Sequence, residues 1–276
     1  MPSTTISKST LLSLPAELRT QILEYVFTSN LAHNGLISHS TPGGLCLDDE
    51  YTAQTHLSPL LVCRQLYLDG HHLAFTKTHF LMTNLFSSVP ERSARLLRPK
   101  TIKAIRHLTF VADARHFRAL STWGPYPFSM PSLHLETLTI ALYRSTFCHY
   151  LFDFTAGIVR LLRELRNVRR VVVVRNGALV KGGLRAWFNR LVGLVLKVDH
   201  RERYMGEGGM PRCEGVWWGW GFDEVEQRFW LEAREPKPLL DEETYLRGML
   251  PLMDELRVSV ESEEWNPDPR SRRHYY

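Results

Sequence analysis

The chain lacks any apolar run long enough to cross a bilayer. Spanning requires about 18 consecutive apolar residues, and polar or charged side chains interrupt every apolar stretch of the 276 residues before that length. The first fifteen residues carry one lysine and no sustained apolar core, so they do not have the pattern of a secretory signal. We therefore expect no membrane partner.

Cysteine is scarce and unclustered, and no Asn-x-Ser/Thr acceptor occurs anywhere in the sequence. The four cysteines are Cys46, Cys63, Cys148 and Cys213. Disulfide-rich secreted domains and structural zinc sites both need closely spaced cysteines. This usage predicts free thiols and a reducing location, in the cytoplasm, the nucleus or both.

Catalytic and metal-binding motifs are also missing. The sequence has no Gly-x-Ser-x-Gly elbow, Walker loop, dinucleotide glycine fingerprint or His-Glu-x-x-His helix. His134-Leu135-Glu136 matches half of a zinc-deaminase signature, but the Pro-Cys-x-x-Cys half is absent because a single cysteine follows Pro211-Arg212. We expect a protein that is not an enzyme and holds no cofactor or metal.

Charge is present but unevenly distributed. The net charge of +5 combines a basic segment, 158–203, with 12 Lys/Arg against 3 Asp/Glu, and an acidic one, 222–276, with 14 Asp/Glu against 8 Lys/Arg. A basic segment can attract nucleic acid or an acidic partner. It can equally keep helix faces solvated and pair with the acidic segment. Because no known nucleic-acid module accompanies the charge, nucleic acid is the less favoured partner.

Two N-terminal helices are predicted, separated by a long polar loop. Leu14, Leu18, Ile22 and Val26 recur every four residues after Leu14-Pro15, which predicts an amphipathic helix. Residues 28–56 are polar and contain Pro42-Gly43-Gly44, which predicts a loop. A second helix is expected to open at Ser58-Pro59 and run to about Phe75.

Alternating strands and helices are predicted next. Strands are expected at 80–82, 105–112, 135–142 and 171–174, and helices at 91–98, 156–166 and 184–196. Leu108, Leu138 and Val171 are 30 and 33 positions apart. Such spacing indicates parallel, right-handed strand–helix units in a degenerate leucine-rich-like array. The predicted class is α/β, with α+β as the alternative.

The C-terminal part is predicted to form an aromatic β-hairpin and a helix. Residues 216–233 place six aromatic rings around a polar turn, typical of a hairpin. The last helix is expected to start near Asp241 and to be interrupted at Pro251. Within this part and the basic segment, the residues predicted as a candidate substrate surface are Arg160, Arg163, Arg170, Arg185, Trp217 and Trp220.

The N-terminal segment resembles a known family. Leu14-Pro15-Ala16-Glu17-Leu18, followed by Ile22-Leu23 and Tyr25-Val26, is similar to the opening helix of an F-box. Residues 60–67, LLVCRQLY, resemble the later F-box helix of fungal F-box-like proteins, and His79-Phe80-Leu81-Met82 resembles the strand that follows. The 28–56 connection is longer than the usual one.

The resemblance implies a helical module that binds the linker subunit of an SCF-type ubiquitin ligase, with a downstream domain that presents a protein substrate. The adaptor-facing residues it implies are Leu14, Pro15, Leu18, Ile22, Leu23, Leu61, Val62 and Tyr67. The alternative is an interaction scaffold without a ligase role. The expected organisation is a disordered tail at 1–10, the module at 11–82, a strand–helix domain at 83–264 and a tail at 265–276.

Overall fold

The computed structural model describes residues 11–29, 35–39, 44–82, 99–205 and 211–265. Its helices are Ala16–Ser29 (α1), Ala53–Leu57 (α2), Arg64–Lys77 (α3), Pro99–Ala104 (α4), Ala114–Leu120 (α5), Thr155–Glu164 (α6), Leu184–Tyr204 (α7) and Glu242–Trp265 (α8). Its strands are Leu36–His39 (β1), Gly44–Leu47 (β2), His79–Met82 (β3), His107–Ala112 (β4), Leu135–Leu142 (β5), Val168–Val174 (β6), Trp217–Asp223 (β7) and Arg228–Arg234 (β8).

Six strands form one mixed sheet in the order β3-β4-β5-β6-β8-β7. The first four are parallel, and β8 runs antiparallel to both β6 and β7. Leu108 pairs with Leu138, and Leu138 pairs with Val171, so the spacing in the sequence corresponds to the register of the sheet. The predicted α/β class and the C-terminal hairpin are therefore confirmed.

The main core lies between one face of this sheet and the helices α5, α6 and α7. Alternate strand residues point into it, because side chains alternate between the two faces of a strand. Trp187 of α7 is at its centre, with 1% exposure, and donates from Nε1 to Thr155 Oγ1 at 3.1 Å. The Trp218 indole likewise donates to the Leu162 carbonyl at 2.8 Å, which joins β7 to α6.

The loop predicted over 28–56 is wrong at 36–39, 44–47 and 53–56, where the structure has strands and a helix. Strands β1 and β2 pair antiparallel within it, and α2 follows them. Leu45 packs on Val172 and Val174, and Leu47 packs on Val111, so this small hairpin covers the other face of the six-stranded sheet. Its burial depends on strands far along the chain, which a local polar pattern cannot show.

The small hairpin is also held by hydrogen bonds. The Leu47 amide donates to Asn176 Oδ1 at 2.8 Å, and Asn176 Nδ2 donates to the Leu142 carbonyl at 2.8 Å. The Leu45 amide donates to the Glu226 carbonyl at 2.8 Å. A buried asparagine therefore joins the N-terminal segment to the ends of β5 and β6.

Two helix predictions need correction. The helix expected from Ser58 to Phe75 is divided into a 3₁₀ turn, Ser58–Leu61, and α3, with extended backbone at Cys63 between them. Pro251 does not interrupt α8, which continues through it. Proline has no amide hydrogen to donate to the carbonyl four residues earlier, that of Arg247. Because Pro251 and Arg247 are both on the exposed side of α8, this carbonyl faces solvent.

Some predictions fall outside the described residues. The helix at 91–98 and the tail at 1–10 lie there, as does the C-terminal tail beyond Trp265, which itself ends α8. Pro99, the residue that follows the predicted helix 91–98, begins α4. The other predicted strands and helices differ from the observed ones by a few residues at their ends, except α7, which runs on to Tyr204.

A buried cluster of charges holds the C-terminal elements together. Arg203 of α7 donates from Nη2 to Glu214 Oε2 at 2.6 Å and from Nε to Asp199 Oδ1 at 3.0 Å. The Tyr245 hydroxyl of α8 donates to Asp199 Oδ2 at 2.5 Å. The side chains of Arg203, Asp199 and Glu214 are at most 3% exposed, so α7, α8 and the segment before β7 share one internal ion network.

Candidate functional site

The candidate site is the N-terminal helical module, which consists of α1, the 3₁₀ turn Ser58–Leu61 and α3. Its own small core is separate from the main one and contains five buried side chains: Leu23, Phe27, Leu60, Leu66 and Ala74. Phe75, at the end of α3, packs against both this core and the main one, with its ring stacked on Phe80 of β3 at 5.6 Å between centroids. The module is therefore anchored to the first strand of the sheet.

Two features fix α1 against α3. Arg19 Nε lies 2.7 Å from Asp69 Oδ2, and this hydrogen bond holds the pKa of Asp69 below its ordinary value. Gly70 allows the close approach, because a Cβ there would be only 2.9 Å from Leu23 Cδ1. One side of α1 is thus fully occupied by contacts with α3.

The opposite side of α1 is uncovered and apolar. Leu18, Ile22 and Tyr25, here called the α1 stripe, are four and three positions apart and so lie on one side of the helix. They are 44%, 40% and 75% exposed. The helical phase places them away from Leu23 and Phe27, which contact α3. Three large apolar side chains on one exposed helix face are a typical partner-binding feature.

A second exposed apolar group follows the 3₁₀ turn. It consists of Leu61, Val62, Tyr67 and Leu68, here called the 61–68 group, and Leu61 is 77% exposed. Leu60, the neighbour of Leu61, points instead into the core of the module. The same short turn therefore supplies both an internal anchor and an external apolar surface.

The eight residues that the resemblance assigns to an adaptor contact differ in their exposure. Six are exposed: Pro15, Leu18, Ile22, Leu61, Val62 and Tyr67. Leu14 is half-buried, and its carbonyl accepts a hydrogen bond from Arg19. Leu23 is 2% exposed and packs against α3, so it supports the module from inside and is removed from the candidate surface. Tyr25 and Leu68 are added, which the four-residue spacing of the sequence pattern did not select.

The residues predicted as a substrate surface do not form one surface. Arg163 lies 3.3 Å from Asp199 and Arg185 lies 3.3 Å from Glu224, so both are engaged in ion pairs. The guanidinium of Arg170 lies over the Trp230 ring, on the sheet face that the small hairpin shares. Arg160 is exposed on α6. Three of these four arginines therefore contact three different partners, and the fourth, Arg160, is exposed to solvent.

The aromatic hairpin is largely used for packing. Trp217 is buried, and its ring lies 5.9 Å from that of Trp220 and 3.5 Å below the Lys237 ammonium. Trp220 packs against the main core and is partly buried. Two uses of such rings are possible: they can stack on a ligand, or they can cover the end of the sheet. The contacts of Trp217 and Trp220 fit the second use better.

His79 and His107, at the edge of the sheet, are not part of a metal-binding cluster among the described residues. His79 and His107 stack across β3 and β4 with centroids 4.4 Å apart, and burial lowers the pKa of His79 to about 4. Within the described ranges, no three His, Cys, Asp or Glu side chains are arranged to hold an ion. The same ranges contain no helix with the length and apolarity needed to cross a membrane.

No protein-family model, curated protein or solved structure matches this chain.

Proposed function

We propose that the chain is a non-enzymatic interaction protein whose N-terminal helical module binds the linker subunit of an SCF-type ubiquitin ligase. The strand–helix domain then presents a protein substrate. The observation that carries this proposal is the α1 stripe, an apolar helix face left uncovered on a helix whose other side is fully packed. The Leu-Pro-x-Glu-Leu start of the same helix agrees with it.

An exposed apolar helix face is stabilised when a partner protein covers it. Scattered exposed apolar residues are ordinary, but a row at helical spacing suits an apolar groove on a partner, in which a helix is recognised through residues three and four positions apart. Tyr25 supplies an aromatic anchor of the kind enriched where interfaces gain most of their energy. Pro15 and the 61–68 group extend the exposed apolar area of the module.

A scaffold without a ligase role is the second candidate, and one observation favours it. The long connection between α1 and α3 carries the small hairpin, which is buried on the sheet and fixes the module to the rest of the chain. An adaptor module needs no such attachment. In this alternative, the α1 stripe binds a different protein through the same apolar contacts.

Replacing Ile22 with aspartate is expected to abolish binding of the purified linker subunit while the chain stays folded. The side chain is 40% exposed, so its replacement removes apolar contact area and places a charge in the proposed interface without entering the module core. We expect affinity to fall by about a hundredfold or more, the range of a central interface residue. Isothermal titration calorimetry of wild type and variant measures the change.

Two further variants make this result specific. Leu18→Asp changes the same stripe and is expected to behave as Ile22→Asp does. Val225→Asp introduces the same charge at an exposed apolar position in the β7–β8 turn and is expected to bind as wild type does. Circular dichroism checks that all three remain folded. Wild-type affinity in both stripe variants contradicts the proposal, and binding of another protein through the stripe favours the scaffold.

A further inference from the structure

An open groove crosses the edge of the sheet at which its parallel strands begin. Its volume is about 710 Å³, and it is bordered by the starts of β5 and β6, the residues just before β4 and β7, and the end of β8. That volume is within the usual range of ligand sites. None of the described residues that line it belongs to the N-terminal helical module, so binding in the groove does not require the proposed function of that module.

The groove is strongly basic. Arg106, Arg166 and Arg169 line it together with His134, and Glu136 is the one carboxylate among the lining residues that the structure describes. Glu136 Oε2 lies 3.7 Å from His107 Nε2, so its charge is directed toward that imidazole when the histidine is protonated. The groove thus presents three positive charges against one negative charge.

Two of these arginines are available to a ligand. Arg166 and Arg169 are exposed, and neither forms an ion pair with a carboxylate in the part of the chain that the structure describes. Arg106 is held in place because its Nη1 donates to the carbonyls of Ile105 and His134. One fixed and two free guanidinium groups therefore face the same open space.

The remaining lining distinguishes between two classes of anionic partner. Val216 and Ala233 are partly exposed and contribute aliphatic surface, and no Phe, Tyr or Trp is among the described residues that border the groove. Proteins that bind single-stranded nucleic acid usually stack its bases on aromatic rings. A groove that combines guanidinium groups with aliphatic side chains instead fits a peptide whose acidic and apolar side chains alternate.

We propose that this groove binds an extended acidic peptide segment of a partner protein. Carboxylates of the peptide accept paired hydrogen bonds from Arg166 and Arg169, whose planar forks match carboxylate geometry. Apolar side chains of the peptide pack on Val216 and Ala233, the partly exposed aliphatic residues of the lining. Arg169 is the second residue of β6 and Arg166 lies two residues before that strand, so one short segment brings both guanidinium groups to the groove.

Fluorescence anisotropy tests this with a fluorescein-labelled peptide in which Glu alternates with Leu and Ala. We expect saturable binding to the full chain, lost when every Glu of the peptide is replaced by Gln. Arg166→Glu and Arg169→Glu are each expected to weaken binding by about tenfold or more, as expected for a lost charge-assisted hydrogen bond. Arg160→Glu is the matched control, since Arg160 is exposed on α6 and does not border the groove.

Several results overturn the proposal. They are the absence of binding by the folded wild-type chain, equal binding of the Gln peptide, and an equal loss of affinity in Arg160→Glu. A labelled single-stranded RNA of uridines is measured in parallel. Tighter binding of this RNA than of the Glu peptide, with the same dependence on Arg166 and Arg169, assigns the groove to nucleic acid and rejects the peptide. Loss of linker-subunit binding in the stripe variants affects none of these readouts.

Discussion

An Arg203→Ala variant is expected to be about 3–5 kcal/mol less stable toward unfolding than wild type. Arg203 is completely buried and holds two carboxylates, Glu214 at 2.6 Å and Asp199 at 3.0 Å. Removing the guanidinium takes away the ion-pair partner of buried Glu214 and leaves Asp199 paired with Arg163 alone, and a buried charge without full compensation is strongly unfavourable. Urea denaturation followed by circular dichroism measures the change.

Arg201→Ala is the matched control for this variant. Arg201 lies two positions away on the same helix, is largely exposed, and contacts Glu202 at 3.5 Å. A surface pair of this kind is worth at most about 1 kcal/mol. Equal stability losses in the two variants would contradict a dominant role for the buried cluster.

The buried cluster also predicts a pH dependence. Burial alone would raise the pKa of Asp199, but the hydrogen bonds that the carboxylate accepts outweigh burial and lower it below the ordinary 3.8. A lowered carboxylate pKa adds stability above the pKa of the unfolded chain, and this stability is lost as pH falls through the folded pKa. The difference in stability between wild type and Arg203→Ala is therefore expected to narrow below about pH 4.

Trp187→Ala is expected to have an effect of similar size, a loss of about 3–5 kcal/mol. The ring contacts Phe117 of α5 and Phe229 of β8 edge-on, with centroid distances of 5.9 Å and 5.5 Å, and bonds to Thr155 of α6. Its removal opens a cavity where three elements meet α7, and a close-packed core relaxes into such a cavity only partly.

Thermal and urea unfolding of Trp187→Ala should both shift, with the cooperative transition retained. Lys197→Ala, at an exposed position of the same helix, is expected to change stability by less than about 0.5 kcal/mol. A Trp187→Ala variant as stable as wild type would show that α7 is not held by this contact.

The strand–helix domain was largely predictable because its signals are local and regular. Leu108, Leu138 and Val171 share a position in successive units, and the sheet pairs those residues directly. The aromatic hairpin was equally clear, since six rings surround one polar turn. The position of β8 between β6 and β7, antiparallel to both, was not predictable. It depends on where the chain re-enters the sheet after the long helix α7.

The small hairpin was missed for a non-local reason. Residues 36–39 and 44–47 are short strands flanking a Pro-Gly-Gly sequence, and they gain stability only through contacts with β4, β5 and β6. Asn176 makes the decisive hydrogen bond from 129 positions away. A local sequence pattern around Leu47 therefore cannot include Asn176, its hydrogen-bond partner.

In the candidate site, too, a local pattern predicted one part and contacts with distant residues determined the rest. The four-residue spacing of the first helix predicted its apolar residues, but it could not assign them to the inner or the outer side. The partner α3 decides this, because Gly70 and Asp69 bring it against Leu23 and Arg19 and leave Ile22 outside. The basic groove depends on three arginines that meet only when the strand ends are aligned.

Hydrogen–deuterium exchange of the full chain, with and without the purified linker subunit, tests the central proposal most directly. We expect slowed exchange in α1 and in residues 58–68, where the α1 stripe and the 61–68 group lie, and unchanged exchange at the strand starts that border the basic groove. Unchanged exchange in α1 at saturating linker subunit, or protection confined to the sheet, would contradict it.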